Sequence, residues 1–375
     1  MTDTRTSASP APPIEDTSPP VAEKRPIERV HHGDTFVDNY EWLREKENPE
    51  TVAYLEAENA YTRQQTAHLA DLREAVFTEI KTRTQETDLS VPSRTGSYWY
   101  YRRTLEGQQY PLVCRTPAAP DDWTPPTLEP DVDVPGEQLL VDCNELAEGQ
   151  EFFSLGAFTV SLDGHLLAYS TDVVGNERYT IQVLDLRSGE LLPDEIPNTL
   201  HGVTWSADGA QLFYSTVDES WRPDKVWRHA LGTTSSDDVL VYEETDARFY
   251  TGVGRTTSDR LLVISSGSKI TSEVRILEAD DPTGEFRVVV PRETGVEYQV
   301  DHAVISGEDR LLVLHNRDAV NFTLGVGPMS LSSLDEASTV IAASDTVRLT
   351  DMDVSATTLA VNLREGGLAQ VRIFS

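Results

Sequence analysis

Serine and histidine are the residues in this 375-residue sequence that can act together in nucleophilic catalysis. A serine nucleophile is commonly held on a sharp turn with the pattern Gly-x-Ser-x-Gly between a strand and a helix. The sequence lacks this pattern, and its nearest approaches are Ser266-Gly267-Ser268 and Ser306-Gly307. Because glycine and serine are also the usual residues of tight turns, we interpret both stretches as turns.

The histidines give no metal-binding pattern. None of the eight has the H-E-x-x-H spacing or the paired Cys/His spacing that is typical of zinc sites. They are His31, His32, His68, His165, His201, His229, His302 and His315. We interpret all of them as structural histidines and predict no metal site.

Glycine-rich and acidic patterns are equally uninformative about chemistry. Gly252-Val253-Gly254 lacks the third glycine and the following helix of a dinucleotide-binding loop, so no cofactor is expected. The 63 acidic residues offer many chance pairs, and nothing marks two of them as a glycosidase pair. Asp163-Gly164 and Asp208-Gly209 have the residue types of hairpin turns. The sequence therefore predicts no catalytic, cofactor-binding or metal-binding residue in this chain.

The charge balance excludes some partners. The chain has 31 basic residues against its 63 acidic ones, and its formal net charge is −32 at pH 7. Such a chain repels phosphate groups, so neither nucleic acid nor an anionic membrane surface is an expected partner. Cationic partners fit the charge, and an acidic surface that favours solubility explains it equally well.

The cysteines and the apolar pattern predict a compartment. Cys114 and Cys143 fit neither a disulfide framework nor a zinc spacing, so we expect two ordinary thiols in a reducing compartment. The N-terminus has no apolar signal segment, and no run of eighteen apolar residues occurs. These patterns favour a soluble, cytoplasmic protein.

The first part of the chain divides into a tail and a helical segment. Residues 1–22 are rich in proline, serine and threonine and cannot bury enough surface to fold, so we predict a disordered tail. Residues 23–88 are predicted to form a helical segment, in which Asn48 caps a helix that begins at Pro49. Apolar residues at helical spacing predict a buried face, and they are Leu69, Leu72, Val76 and Ile80.

Residues 89–375 contain a β-strand repeat. Hairpins of a short strand, a polar turn and an apolar strand recur along this region. Aligning Leu167, Leu212, Leu262, Leu312 and Leu359 gives spacings of 45, 50, 50 and 47 residues. Four short strands in 40 to 50 residues are what a β-propeller blade requires. We predict blades at 97–145, 155–193, 197–243, 248–291 and 296–343, with a sixth beginning near 347.

Several motifs resemble one peptidase family. The stretches Tyr40-Glu41-Trp42-Leu43-Arg44, Glu58-Asn59-Ala60-Tyr61, Ser97-Tyr98-Trp99-Tyr100-Tyr101 and Gln109-Tyr110-Pro111-Leu112-Val113-Cys114-Arg115 resemble the amino-terminal part of the prolyl oligopeptidase family. A second group resembles the oligopeptidase B branch, which cleaves short peptides after Lys or Arg. It comprises Arg222-Pro223-Asp224-Lys225-Val226-Trp227-Arg228-His229, Tyr242-Glu243-Glu244, Gly267-Ser268-Lys269, Thr271-Ser272-Glu273-Val274-Arg275, Gly295-Val296-Glu297-Tyr298 and Val300-Asp301-His302.

The resemblance implies a division of labour. In that family a seven-bladed propeller caps a C-terminal α/β-hydrolase domain, which holds the catalytic Ser, Asp and His and packs on the N-terminal helices. We therefore expect this chain to be the gating part of a serine peptidase for short basic peptides, and to be inactive and marginally soluble alone. The alternative is a propeller scaffold that binds peptides or proteins without chemistry.

One loop of the first blade has an unusual composition. Between Thr116 and Glu137 lie six prolines and a cluster of acidic residues, namely Asp121, Asp122, Glu129, Asp131, Asp133 and Glu137. We expect a solvated excursion from the blade. A sharper hypothesis makes it an acidic flap near the substrate entrance.

Overall fold

The computed structural model describes residues 18–130, 132 and 134–375. Most of the predicted tail at residues 1–22, up to residue 17, lies outside the described residues. The chain divides into two compact units, and the boundary falls between Gln85 and Glu86.

The first unit begins with a β-hairpin that the sequence analysis missed. Strand β1 is Ile27–His31 and strand β2 is Asp34–Asp38, and the two pair in antiparallel fashion. His32 and Gly33 form the turn with φ of 52° and 84°. Two positive φ angles give the turn the twist that a tight hairpin needs, but histidine is not the residue that usually signals it. The prediction of a helical segment over all of residues 23–88 is therefore wrong at its start.

Two helices fill the rest of the first unit. Helix α1 is Pro49–Gln65 and helix α2 is Ala70–Arg83, with 3-10 turns at Glu41–Arg44 and Ala67–Leu69. The predicted cap is confirmed, because the Asn48 side chain accepts a hydrogen bond of 2.9 Å from the backbone N–H of Glu50.

The apolar face of α2 is exposed. Leu72 and Ile80 expose 61% and 62% of their surface, and Val76 is also exposed. The helical spacing of Leu72, Val76 and Ile80 is confirmed. Their expected burial does not occur among the residues that the structure describes. Such an uncovered stripe is what a helix presents when its packing partner is another element or chain.

The second unit consists of six antiparallel sheets that follow one another along the chain. The first contains β3 Asp88–Leu89, β4 Ser93–Thr95, β5 Tyr98–Thr104, β6 Leu112–Pro117 and β7 Gln138–Asp142. The second contains β8 Ser154–Val160, β9 Leu166–Asp172, β10 Tyr179–Asp185 and β11 Glu190–Thr199. The third contains β12 Val203–Trp205, β13 Gln211–Val217, β14 Pro223–Ala230 and β15 Val239–Glu243.

The last three sheets repeat the same order. The fourth contains β16 Tyr250–Arg255, β17 Leu261–Gly267, β18 Ser272–Glu278 and β19 Arg287–Val288. The fifth contains β20 Tyr298–Ile305, β21 Glu308–His315, β22 Thr323–Pro328 and β23 Ser338–Ile341. The sixth contains β24 Val347–Val354, β25 Leu359–Glu365 and β26 Leu368–Phe374. Five sheets of four or more strands and a sixth of three strands confirm the predicted propeller blades.

The structure corrects three blade boundaries. The first blade begins with β3 and β4, ahead of the predicted start at 97. Strand β11 continues to Thr199, past the predicted end of the second blade at 193, and the third blade begins at Val203. Strand β11 includes Pro193 and Pro197, and it is the outer strand of its sheet, where proline costs no ladder hydrogen bond. A short helix α3, Cys143–Ala147, was also missed within the predicted all-β region.

Packing between neighbouring blades forms the core. Leu167, Leu212 and Leu262 of the aligned repeat are completely buried, and Leu312 is nearly so. Leu262 packs with Phe213 of the preceding blade. Each repeat leucine thus lies where two sheets meet, which explains the regular spacing of these leucines along the chain.

The proline-rich loop between β6 and β7 packs against the first blade. The Arg103 guanidinium donates a hydrogen bond of 3.1 Å to the carbonyl of Pro130, and Val134 is buried beside Tyr101. Glu137 accepts hydrogen bonds from Tyr101 and Arg103. The expected solvated excursion is therefore wrong for this part of the loop, because its backbone and apolar residues cover a blade face. The flap hypothesis stays a prediction.

A buried histidine joins the second and third blades. His229 has no exposed surface; its Nδ1 lies 2.6 Å from Asp238 Oδ1 and its Nε2 lies 3.0 Å from Asp194 Oδ1. Each ring nitrogen thus faces a carboxyl group whose side chain is only 1% exposed. The ring links Asp194 of the second blade to Asp238 of the third through buried hydrogen bonds.

We predict that His229→Leu destabilises the chain by about 3–5 kcal/mol, because it leaves two buried carboxyl groups without their hydrogen-bonding partner. Urea unfolding of the purified chain measures the loss. The matched control is His165→Leu, since the His165 side chain is 47% exposed and its replacement is expected to stay within about 0.5 kcal/mol. Equal losses for the two variants would contradict the assignment.

Candidate functional site

Residues of the second motif group meet in one polar cluster. Tyr242 lies on β15, Glu244 directly follows the end of that strand, and Ser266, Glu273 and Arg275 lie on β17 and β18. Arg292 joins them from the segment between β19 and β20. We call these six residues the Tyr242 cluster. Strands of two adjacent blades and the connection to a third therefore converge here.

Hydrogen bonds link the members of the Tyr242 cluster. Arg292 donates to the Tyr242 hydroxyl at 3.1 Å and also to the Glu244 carboxylate, while Tyr242 donates to Glu244 at 2.8 Å. Ser266 donates to the Tyr242 oxygen at 3.1 Å. On the other side, Arg275 lies 4.8 Å from the centre of the Tyr242 ring. The cluster holds its cations and its ring in fixed positions.

The electrostatics of the cluster keep Glu244 ionised. Burial alone would raise the pKa of Glu244, but the hydrogen bonds from Arg292, from the backbone N–H of Asp246 and from Tyr242 outweigh it and lower that pKa. Burial is also the main reason that the pKa of Tyr242 is raised. At neutral pH the site is therefore a carboxylate paired with a guanidinium and a neutral phenol, which supports structure and offers no base.

A cavity of about 670 Å³ adjoins the cluster at Arg292, which lines it. Its apolar wall contains Phe249, Tyr250 and Ile270, and Tyr250 and Ile270 are exposed. Arg292 and Lys269 also line it. A volume of this size and a mostly apolar wall with a few cations are typical of a site for a small molecule or peptide segment.

A second cavity of about 580 Å³ adjoins the first at Gly267, which lines both. The inner strand β16 contributes Gly252 and Gly254 to its wall, and Asp351 lines it from β24. A Cβ atom built on either Gly252 or Gly254 would meet open space within 4 Å. The glycines that were discounted as a nucleotide-binding loop therefore leave room beside an inner strand.

Ser258, His302 and Asp309 form a hydrogen-bonded series with the residue types of a catalytic triad. His302 Nδ1 lies 2.8 Å from Ser258 Oγ, and His302 Nε2 lies 3.1 Å from Asp309 Oδ1. Ser258 occupies the turn position that Asp163 and Asp208 hold in earlier blades, and like them it accepts a hydrogen bond from a backbone N–H two residues on.

The turn geometry accounts for this series without chemistry. Asp259 has φ of 60°, close to the 75° of Gly164 and 69° of Gly209 at the corresponding positions. The His302 ring is 2% exposed beneath the turn. Ser258 is exposed, but a nucleophile also needs hydrogen-bond donors for an oxyanion, and this hydroxyl instead accepts the N–H of Arg260 within a hairpin turn.

The remaining candidates are spread over the blades. Ser306 and Gly307 form the tight turn between β20 and β21, and Ser268 lies in the turn after β17. Cys114 and Cys143 are free and buried, and burial raises the pKa of each thiol to about 11. Among the described residues, no three His, Cys, Asp or Glu side chains lie together as metal ligands. The described helices also include none that is long and apolar enough to cross a membrane.

Comparison with known proteins decides the family. A family profile described as "Prolyl oligopeptidase, N-terminal beta-propeller domain" matches residues 19–375. This chain belongs to the prolyl oligopeptidase family. The resemblance found in the motifs is confirmed, and the matched part is the propeller region of the family.

The named relatives are longer than this chain. The chain is 40% identical over 337 residues to dipeptidyl aminopeptidase BI of Pseudoxanthomonas mexicana, covering 88% of this chain and 46% of that protein. It is 34% identical over 354 residues to protease 2 of Moraxella lacunata, covering 94% of this chain and 49% of that protein. The chain thus spans about half the length of these relatives.

Solved structures agree with the sequence match. Oligopeptidase B from Leishmania major has a TM-score of 0.85 at 30% identity, covering 96% of this chain and 51% of that chain. Oligopeptidase B from Trypanosoma brucei with covalently bound antipain, in its closed form, has a TM-score of 0.84 at 32% identity, covering 95% and 51%.

Sequence reasoning found most of the Tyr242 cluster but not all of it. Tyr242, Glu244, Glu273 and Arg275 stood in the quoted motifs, whereas Ser266 was considered only as part of a turn. Arg292 was missed because it lies 48 residues from Glu244 along the chain. A long-range ion pair of this kind leaves no local spacing in a single sequence.

We predict that Glu244→Gln lowers the free energy of unfolding by about 1–3 kcal/mol at neutral pH, because Arg292 loses a charged acceptor. Since folding lowers the pKa of Glu244, its contribution is present above the ordinary value of 4.5 and disappears as the pH falls through the folded pKa. Urea unfolding at pH 7 and in acid measures both differences. A gap between the two proteins that is independent of pH would contradict the assignment.

Proposed function

We propose that this chain is the gating propeller of a serine peptidase that hydrolyses short peptides after Lys or Arg. The observation that carries the proposal is the match of nearly the whole chain to a peptidase propeller, together with oligopeptidase B structures as neighbours. The gate acts by size, because short flexible peptides reach a covered active site and folded proteins do not.

The catalytic step belongs to a part of the enzyme outside these residues. We propose that the exposed face of α2, with Leu72 and Ile80, contacts the C-terminal α/β-hydrolase domain of the complete enzyme. That domain supplies the serine nucleophile and its histidine base. Reading the coding sequence beyond Ser375 is a direct test: a glycine-flanked serine supports the proposal, and a stop codon favours the scaffold alternative.

The names of the relatives point to two different cleavage specificities. One relative is named a dipeptidyl aminopeptidase, which indicates removal of dipeptides, whereas other relatives are named protease 2 and oligopeptidase B. We favour cleavage after Lys or Arg because the formal charge of −32 attracts basic peptides. Mass spectrometry of the products from one long lysine-containing peptide distinguishes internal cuts from stepwise loss of dipeptides.

The compartment proposed for this enzyme is the cytoplasm. Two buried free thiols, Cys114 and Cys143, support a reducing environment.

We predict that the 375-residue chain alone neither hydrolyses a fluorogenic Arg substrate nor reacts with a fluorophosphonate probe. The hydroxyl of Ser258, its one triad-like serine in the described residues, completes a turn above a buried histidine. Gel fluorescence and a substrate assay measure these outcomes, with Ser258→Ala as the matched control. Labelling of the wild-type chain that Ser258→Ala abolishes would overturn the prediction.

We further predict that kcat/KM of the complete enzyme for a dibasic peptide falls as salt rises from low to physiological strength. Screening shortens the reach of the acidic surface to about 8 Å at 0.15 M salt. A neutral peptide with the same single cleavage site is the control. If the dibasic and neutral peptides respond alike, electrostatic steering has no part in the function.

A further inference from the structure

The inner strand β16 has an unpaired edge. In the described part of the chain it pairs with β17 alone. In an antiparallel pair, every second residue of a strand directs its backbone N–H and C=O groups toward the partner strand. Thr256 N donates to Leu261 O, so Thr256 belongs to the set that faces β17. The backbone groups of the alternate residues Thr251, Val253 and Arg255 therefore point away from β17. An edge of this kind is a template for one further strand.

Open space accompanies this edge of β16. Both cavities border the strand, the first at Tyr250 and the second from Gly252 to Arg255, and they adjoin at Gly267. An inner glycine elsewhere behaves differently: a Cβ atom at Gly156 of β8 would lie 2.6 Å from Ser170 Oγ. Gly156 is therefore required for packing, whereas Gly252 and Gly254 leave a vacant groove.

The groove has opposite charges at its two ends. Among the charged residues that line it, Arg248, Arg255 and Arg292 are paired with Asp246, Asp259 and Glu244. Within the described residues, Lys269 of the first cavity and Asp301 and Asp351 of the second have no ion-pair partner, and Asp301 instead accepts hydrogen bonds from Thr257. A strand of six residues is about 20 Å long, which matches a peptide of similar length.

We propose that the groove along β16 binds a short unblocked peptide as an added antiparallel strand. The peptide's carboxylate lies near Lys269 and its amino group near Asp351. Its main chain pairs with Val253 and Arg255, which line the second cavity, and alternate side chains occupy the space beside Gly252 and Gly254. The proposal rests on the proposed function only in taking a peptide as the ligand.

Filling the groove tests the proposal. The probe is an unlabelled six-residue peptide of alanine, leucine and one lysine with free ends, titrated calorimetrically into the 375-residue chain. Gly252→Val and Gly254→Val are each expected to weaken binding by at least about tenfold, because a β-branched side chain occupies the vacant space. Gly202→Val is the matched control, since Gly202 has equally open space but lines neither cavity.

Two altered probes test the mode of binding. A peptide methylated on alternate backbone nitrogens is expected to lose binding, because it cannot pair with a strand edge. Amidation of the carboxylate is expected to weaken binding to the wild-type chain and to leave binding to Lys269→Met unchanged. Thermal unfolding verifies that each variant is folded.

The outcomes separate this proposal from the proposed function. No binding to the wild-type chain, or equal binding by wild type, Gly252→Val and Gly254→Val, would overturn the groove assignment and leave the peptidase assays unaffected. A failure to cleave after Lys or Arg in the complete enzyme would overturn the proposed specificity without changing the binding measured here.

Discussion

The structure depends on the fact that one four-stranded sheet cannot cover both of its faces. Each blade buries its apolar residues against the next, as Leu262 does against Phe213. The same constraint applies at both ends of the series of described blades. The proline-rich loop supplies Val134 to the first blade, whereas every residue of β26 in the sixth blade is exposed.

Polar groups buried between blades follow a second rule, because each needs a hydrogen-bonding or oppositely charged partner. His229 lies between two carboxylates, and Arg292 joins Glu244 to Tyr242. These contacts link neighbouring sheets through directional hydrogen bonds as well as apolar packing.

Much of this architecture could be predicted from the sequence, because the repeat is local. The spacing of the repeat leucines marks the blades, and Asn48 marks a helix start. The hairpin at His32 and the extension of β11 through Pro197 could not be predicted, since positive φ at histidine and proline in an edge strand contradict the usual signals. The candidate site was harder to predict than the fold. In the sequence, Gly252 and Gly254 form only an incomplete glycine motif, and the open space beside them is visible only in the structure.

The central claim is that a propeller of the prolyl oligopeptidase family contacts peptide along an inner strand as well as excluding proteins. Hydrogen–deuterium exchange of the 375-residue chain, with and without the six-residue peptide, tests it most directly. The account predicts that the amides of Val253 and Arg255 exchange rapidly in the free chain and slow on peptide addition, while the inner strand β12 is unchanged. Unchanged exchange along β16 at saturating peptide would contradict it.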